Sequence, residues 1–124
     1  AKSDMLYICQ DESPDRPTAK KQMADKNSLY NEIKSLIELR KSHAALQSNG
    51  AIDFICADSN TYPLVYLRSS ANEKILVILN PSNSPAVFSC EYSLSERLHG
   101  FGGEITLADG KAAVSGCSYG FYSV

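Results

Sequence analysis

Residues 62–80 read YPLVYLRSSANEKILVILN, two apolar runs separated by the polar stretch SANE. The runs 62–69 and 74–80 are rich in Val, Ile, Leu and Tyr and are apolar at nearly every central position. This composition is typical of β-strands that are covered on both faces. SANE supplies the small and polar residues of a connection. The sequence therefore predicts two neighbouring strands at the centre of a sheet.

Further short strands are expected on both sides of this pair. They are rich in β-branched and aromatic residues, and they are residues 51–57, 86–92, 104–108, 111–115 and 118–124. Asp58-Ser59-Asn60 supplies turn residues before the pair, and Asp109-Gly110 is a strong signal for a type I′ hairpin turn. The pattern predicts a mainly β fold, an antiparallel Greek-key β-sandwich of seven or eight strands.

One long α-helix is predicted ahead of the strands, over residues 28–47. Asp25, Asn27 and Ser28 offer N-cap oxygens, and Gly50 follows as a terminator. Projected on a helical wheel, the apolar side chains cover an arc of roughly 200°, about twice what one sheet requires. They are Leu29, Tyr30, Ile33, Leu36, Ile37, Leu39 and Leu46. We therefore expect the helix to pack against two surfaces, of which the following sheet is one.

Two polar residues, Arg40 and His43, fall within the same apolar arc and need partners or a route to solvent. For His43 we expect contact with carbonyl groups near the helix end and no role as a catalytic base. Residues 1–27 are polar, with two prolines in SPDRP and one apolar cluster, MLYIC at residues 5–9. They are predicted to form an extended arm or loop.

Length and charge exclude several functional classes. The chain has 124 residues, whereas a (β/α)₈ barrel needs roughly 250. Its formal net charge is −2, without the clustered basic surface that nucleic-acid binding requires. No stretch approaches the ~20 apolar residues of a membrane span, and no apolar signal core begins the sequence. We therefore expect neither a nucleic-acid nor a membrane partner.

The four cysteines are Cys9, Cys56, Cys90 and Cys117, and no two of them form a CxxC pair. A structural zinc site usually takes its ligands in such close pairs, so no metal ligands are predicted. Two disulfides are arithmetically possible. However, the positions of Cys56 and Cys90 within apolar runs favour free thiols in a reducing compartment. We expect a cytoplasmic location, in a bacterium.

No catalytic constellation is present in the sequence. It contains no GxSxG elbow and no P-loop. GFGG at residues 100–103 lacks a strand–loop–helix context and is interpreted as a connection between strands. Pairing of Cys90 with His99 is disfavoured, because their separation by nine residues says nothing about their distance in space. Glu91, Glu96 and Glu104 are interpreted as solvated charges at strand ends or in a loop. We predict no catalytic residue, no cofactor and no metal.

The aromatic residues leave two interpretations open. Tyr119 and Phe121 alternate on one face of the last strand and Tyr122 points to the other, which favours core packing. Sugar-binding modules also use aromatic rings as stacking platforms. The sugar-binding hypothesis rests on four residues, Tyr62, Tyr66, Tyr119 and Tyr122.

The string SLYNEIKSLIELRKSHAAL, residues 28–46, resembles the last barrel helix of the α-amylase family of glycoside hydrolases, family 13. The runs YPLVYLR, EKILVILNPS and GCSYGFYSV are similar to the β-sandwich called domain C that closes these enzymes. Residues 10–27 resemble the segment between the last barrel strand and the last barrel helix. The resemblance implies that Leu29, Ile33, Leu36, Ile37 and Arg40 pack against a barrel.

The catalytic aspartates and glutamate of this family lie in upstream motifs, and none of those strings occurs here. The resemblance therefore implies a non-catalytic C-terminal domain that stabilises the barrel of a larger enzyme. That parent enzyme would act on the α-glucosidic linkages of starch or maltooligosaccharides, with the barrel of the same chain as the partner.

Two alternatives remain, a carbohydrate-binding module for α-glucans and a small protein-interaction domain. Because one helix face is left without a partner, we also expect a homodimer through that face or a repositioned N-terminal arm.

Overall fold

A computed structural model of the chain describes residues 12–103 and 105–124. They fall into two compact units, divided between Ser35 and Leu36 within the long helix. The apolar run at residues 5–9, Cys9 and Glu104 lie outside the described residues.

The first unit contains a short helix that the sequence analysis did not predict. Helix α1 spans Ala19–Ala24, in the segment that we expected to be extended. Its residues are mostly strong helix formers, and the Thr18 hydroxyl accepts a hydrogen bond from the Lys21 amide at 3.2 Å. A good local cap and high propensity therefore outweigh the polar composition of the arm.

The long helix, α2, spans Leu29–Ser42. Ser28 is its N-cap, as predicted, because its hydroxyl accepts a hydrogen bond from the Asn31 amide at 3.2 Å. The helix ends five residues earlier than expected. A 3₁₀ turn at Ala44–Leu46 follows it, and we call this the 44–46 turn.

The early end of α2 has a tertiary cause. In a continued α-helix the Ala45 amide would donate to the carbonyl of Lys41. Instead it donates to the Glu73 carboxylate at 2.8 Å. Gly50, predicted as a helix terminator, is required by a close approach, since a β-carbon there would lie 2.5 Å from the Ala45 carbonyl oxygen.

Eight antiparallel strands follow, as expected for the β-sandwich. In chain order they are β1 Ala51–Cys56, β2 Leu64–Ser69, β3 Lys74–Asn80, β4 Ala86–Ser89, β5 Glu96–Phe101, β6 Thr106–Ala108, β7 Lys111–Val114 and β8 Ser118–Ser123. One sheet has five strands in the order β1-β2-β3-β8-β5, and the other has three in the order β4-β7-β6. We call the first sheet A and the second sheet B.

The main core lies between the two sheets. Sheet A contributes Val65, Leu67, Leu76, Ile78 and Tyr122, and sheet B contributes Phe88, Ala112 and Val114. Strand β3 is in the middle of sheet A and is buried on both faces over residues 75–78. This confirms the central position predicted from its continuous apolar run.

Strand β5 is the strand that the sequence analysis did not predict. We interpreted GFGG as a connection, whereas Gly100 and Phe101 belong to β5, which pairs with β8. The run ERLHGF has little β-branched character, so it lacks the usual signal. The Arg97 guanidinium lies over Gly100, 2.5 Å from the position of an ideal β-carbon there.

The hairpin between β6 and β7 is confirmed. Asp109 has φ 52° and Gly110 has φ 72°, the left-handed pair that a type I′ turn requires. Asn60, in the predicted turn before β2, also has a positive φ of 60°. These positions show that turn chemistry alone located two of the connections.

Candidate functional site

The residues predicted to pack against a barrel lie on α2, and most are exposed. The exposed fractions are 69% for Leu29, 46% for Ile33 and 50% for Ile37. Leu36 is half-buried and Arg40 is exposed. All of α2 is described by the structure, and no residue of it is buried. Spacings of four residues place Leu29, Ile33 and Ile37 on one helix face, which this chain leaves in contact with solvent.

The end of α2 is attached to sheet A by polar side chains. Glu73 lies just before β3, and its Oε1 accepts a hydrogen bond from the Ala45 amide at 2.8 Å. Its Oε2 lies 3.1 Å from His43 Nδ1. His43 therefore pairs with a carboxylate from the sheet, and the expected contact with helix-end carbonyls is wrong. The reason is tertiary, because Glu73 is 30 residues away in sequence.

Arg68 on β2 attaches the same turn from its other side. Its Nε donates to the Ala45 carbonyl at 3.1 Å and its Nη2 donates to the Gln47 carbonyl at 2.5 Å. Sequence reasoning missed both Arg68 and Glu73 as contact residues. The one available signal was a charged residue at the end of each central strand run, which by itself specifies no partner.

Two groups near this turn have shifted pKa values. The hydrogen bond from the Ala45 amide lowers the pKa of Glu73, burial opposes this shift, and His43 adds to the lowering. Burial raises the pKa of the Tyr66 hydroxyl, with a smaller opposing effect from the Arg68 charge. Glu73 is therefore a carboxylate whose ionised form is favoured by its surroundings.

The four tyrosines proposed for sugar binding lie in three different places. Tyr62 and Tyr119 line one groove of about 290 Å³ on sheet A. Tyr66 lines a second groove of about 230 Å³, together with Leu36, Arg40 and other side chains. Tyr122 is 7% exposed and lies in the core between the sheets. The four rings therefore form no continuous row.

The first groove is bordered by an aromatic cluster on the outer face of sheet A. The ring centroids of Phe101 and Tyr119 are 6.1 Å apart and the rings are stacked, and Phe121 meets Tyr119 edge to face at 6.3 Å. His99 lies 6.2 Å from Tyr119. Phe101 is 56% exposed, so the sandwich itself leaves part of this cluster uncovered.

Three polar side chains that line the first groove, those of Asn80, Cys117 and Ser118, are already engaged within the chain. Asn80 donates to the carbonyls of Ser84 and Ser115 and accepts from Ser82. The Ser118 hydroxyl donates to the Ser115 carbonyl at 2.6 Å, and the Cys117 thiol donates to Asn83 at 3.1 Å. What remains is an apolar lining, which suits an apolar occupant better than a sugar rich in hydroxyl groups.

Over the described residues no group of three His, Cys, Asp or Glu side chains is placed to bind a metal ion. Cys56, Cys90 and Cys117 are free thiols. No helix within the described part of the chain is long and apolar enough to cross a membrane.

Comparisons with known proteins identify similar regions in larger enzymes. No family model matches the chain. A cyclomaltodextrinase from Geobacillus thermopakistaniensis (strain MAS1) is 41% identical over 58 residues, 47% of this chain and 10% of that protein. A cyclomaltodextrinase from Bacillus sp is 32% identical over 62 residues, 50% of this chain and 11% of that protein.

Solved structures of trehalulose synthase MutB match over a longer range. The F164L mutant, from crystals soaked with trehalulose, superposes with a TM-score of 0.74 at 26% identity, over 86% of this chain and 20% of that one. The enzyme from Pseudomonas mesoacidophila MX-45 gives 0.73 at 25% identity, over 86% of this chain and 19% of that one. The chain thus spans about a tenth of the curated relatives and a fifth of the solved enzymes. In sequence and in fold it is similar to the C-terminal region of α-amylase family enzymes, the last barrel helix followed by the domain C β-sandwich.

Proposed function

We propose that this chain is a non-catalytic domain that stabilises the (β/α)₈ barrel of an α-amylase-type enzyme by packing against it. The observation that carries the proposal is the match over 86% of this chain to only about a fifth of the MutB enzymes. The matched part here includes a helix that exposes Leu29, Ile33 and Ile37. Exposed apolar side chains in a regular row are expected where another surface normally covers them.

The parent enzyme is proposed to act on α-glucosidic linkages of starch or maltooligosaccharides. Support comes from two cyclomaltodextrinases among the similar proteins. The catalytic carboxylates of such an enzyme would belong to the barrel, where two carboxyl groups flank the scissile bond. This chain would then stabilise the folded barrel, and it would supply no catalytic residue and bind no cofactor. The proposal includes packing of Arg40 against the barrel. It also includes a cytoplasmic location for the parent enzyme.

Glucan binding by the domain itself is the main alternative, and the apolar lining of the Tyr62–Tyr119 groove argues against it. The test is a titration of the isotope-labelled chain with maltoheptaose, following backbone amide shifts and release of reducing sugar. We expect flat spectra to millimolar sugar and no hydrolysis. Saturable shifts around Tyr62 and Tyr119 would make the chain a glucan-binding module, and hydrolysis at enzyme-like rates would refute the non-catalytic role.

A further inference from the structure

The 44–46 turn is held at its centre by two oppositely charged side chains. The Ala45 amide donates a hydrogen bond to the Glu73 carboxylate at 2.8 Å, and the Ala45 carbonyl accepts one from Arg68 Nε at 3.1 Å. Both peptide groups of one residue are therefore bonded to side chains of sheet A and its loop, and not to backbone. A hydrogen bond to an ionised group is about twice as strong as one between neutral groups.

The close packing around Ala45 restricts the 44–46 turn to one position on sheet A. Ala45 is completely buried and clusters with Ile75 and Val77 on the outer face of sheet A. An ideal β-carbon on Gly50 would lie 2.5 Å from the Ala45 carbonyl oxygen and 3.1 Å from the Arg68 guanidinium. The close fit means that loss of one charged bond is not easily replaced by another arrangement.

We propose that Glu73, Arg68, His43 and Ala45 form an acid-sensitive latch. The ionised Glu73 carboxylate keeps the 44–46 turn seated on sheet A, and protonation of Glu73 loosens the turn together with the end of α2. The latch is built from residues 36–124 alone, so it operates whether or not a barrel partner exists. It is a conformational device independent of the proposed packing function.

The direction of the pH effect follows from the surroundings of Glu73. Its pKa is lowered from the ordinary value of 4.5. A lowered pKa in the folded state means that the stabilisation is fully present above the ordinary value and is lost as the pH falls through the lowered one. The other ionisable groups on the packed elements are His43 before the turn, Arg68 and Tyr66 on β2, Lys74 at the start of β3, and Glu38, Arg40 and Lys41 on the end of α2.

Hydrogen exchange at the Ala45 amide tests the latch in the full chain. Protection factors, corrected for the intrinsic exchange rate, are measured by NMR from about pH 7 to about pH 3, with the Leu76 amide of β3 as the internal reference. In the wild type we expect Ala45 protection to fall by about fivefold relative to Leu76, because protonation of Glu73 weakens one hydrogen bond of the turn. In Glu73→Gln, a near-isosteric change, protection should be lower at neutral pH and independent of acid.

Two matched variants separate Glu73 from other sources of acid sensitivity. Glu91→Gln removes an exposed carboxylate from a loop and should behave as the wild type. His43→Gln should retain the loss of protection in acid, because Glu73 still accepts the Ala45 amide. If Glu73→Gln kept wild-type protection at neutral pH, or lost it in acid in parallel with the wild type, the latch would be refuted.

Discussion

Asn80 shows how one buried side chain joins the two sheets. It is completely buried at the end of β3, and its amide donates to the carbonyls of Ser84 and Ser115 at 2.9 and 3.0 Å. Its oxygen accepts from the Ser82 amide and hydroxyl. The Ser115 carbonyl follows β7 of sheet B, so this residue bridges the layers on either side of the core.

Replacing Asn80 by Ala should therefore destabilise the chain strongly. The change removes four hydrogen bonds of a completely buried side chain, each contributing about 0.5–1.5 kcal/mol. We expect the free energy of unfolding in urea to fall by roughly 2–4 kcal/mol. Asn72→Ala, at an exposed position of the β2–β3 loop, is the control and should change it by less than about 0.5 kcal/mol. Equal effects of the two changes would contradict the bridging role.

At this scale the sequence located turns but not tertiary partners. Asp109-Gly110 was predictable, because the type I′ turn is specified by adjacent residues. Glu73 and Asn80 were not, because their partners lie 28 and 35 residues away along the chain. A polar residue in a sequence shows that hydrogen bonds are needed, but only the fold determines where the partners are.

Among the elements of sheet A, the central and edge strands differ sharply in burial. Leu76 on β3 is fully buried, whereas Phe54 on β1 is 60% exposed and touches Tyr66 edge to face at 6.0 Å. Strand β1 pairs with β2 on one side only, and its apolar side chains are largely open to solvent. The sequences of the two strands differ accordingly, because β3 is apolar throughout its centre whereas β1 carries Asp53 in its middle.

This contrast predicts very different costs for truncation on the two strands. Leu76→Ala should lower the free energy of unfolding by about 2–5 kcal/mol, because it opens a cavity in the core. Phe54→Ala should cost less than about 1.5 kcal/mol, mainly the loss of one aromatic contact. Urea unfolding of both variants measures the difference. A cost for Phe54→Ala as large as that for Leu76→Ala would show that β1 is covered in solution.

Helix α2 and strand β5 mark where pattern-based prediction failed and where it succeeded. The width of the apolar arc on α2 predicted a second partner, and the exposure of Leu29 and Ile37 agrees with that need. Its end at Ser42 and the presence of β5 depend on Glu73 and on pairing with β8. Neither of these determinants is local to the element that it shapes.

The whole molecule combines a β-sandwich that has its own core with apolar side chains that remain exposed to solvent. The core between sheets A and B is formed within residues 36–124, as the periodicity and turn signals predicted. The exposed apolar side chains include those on the helix face of α2, on β1 and in the aromatic cluster around Phe101 and Tyr119. Association through the helix face in the isolated chain remains a prediction, which sedimentation equilibrium would check.

The central claim is that α2 is covered by a barrel in the parent enzyme. The measurement that tests it most directly is the melting temperature of the Ile33→Ser, Ile37→Ser double variant, both in the isolated chain and in the full-length parent. These side chains are 46% and 50% exposed here, so the change should alter the stability of the isolated chain, measured at a concentration where it is monomeric, by less than about 1 kcal/mol.

In the full enzyme the same change should cost about 1.5–3 kcal/mol for each buried side chain lost and lower the melting temperature by several degrees. Glu38→Gln, on the exposed polar side of α2, is the matched control and should leave both melting temperatures unchanged. An equal, small effect of the double variant in both proteins would contradict the account, because the helix face would then be exposed in the parent enzyme as well.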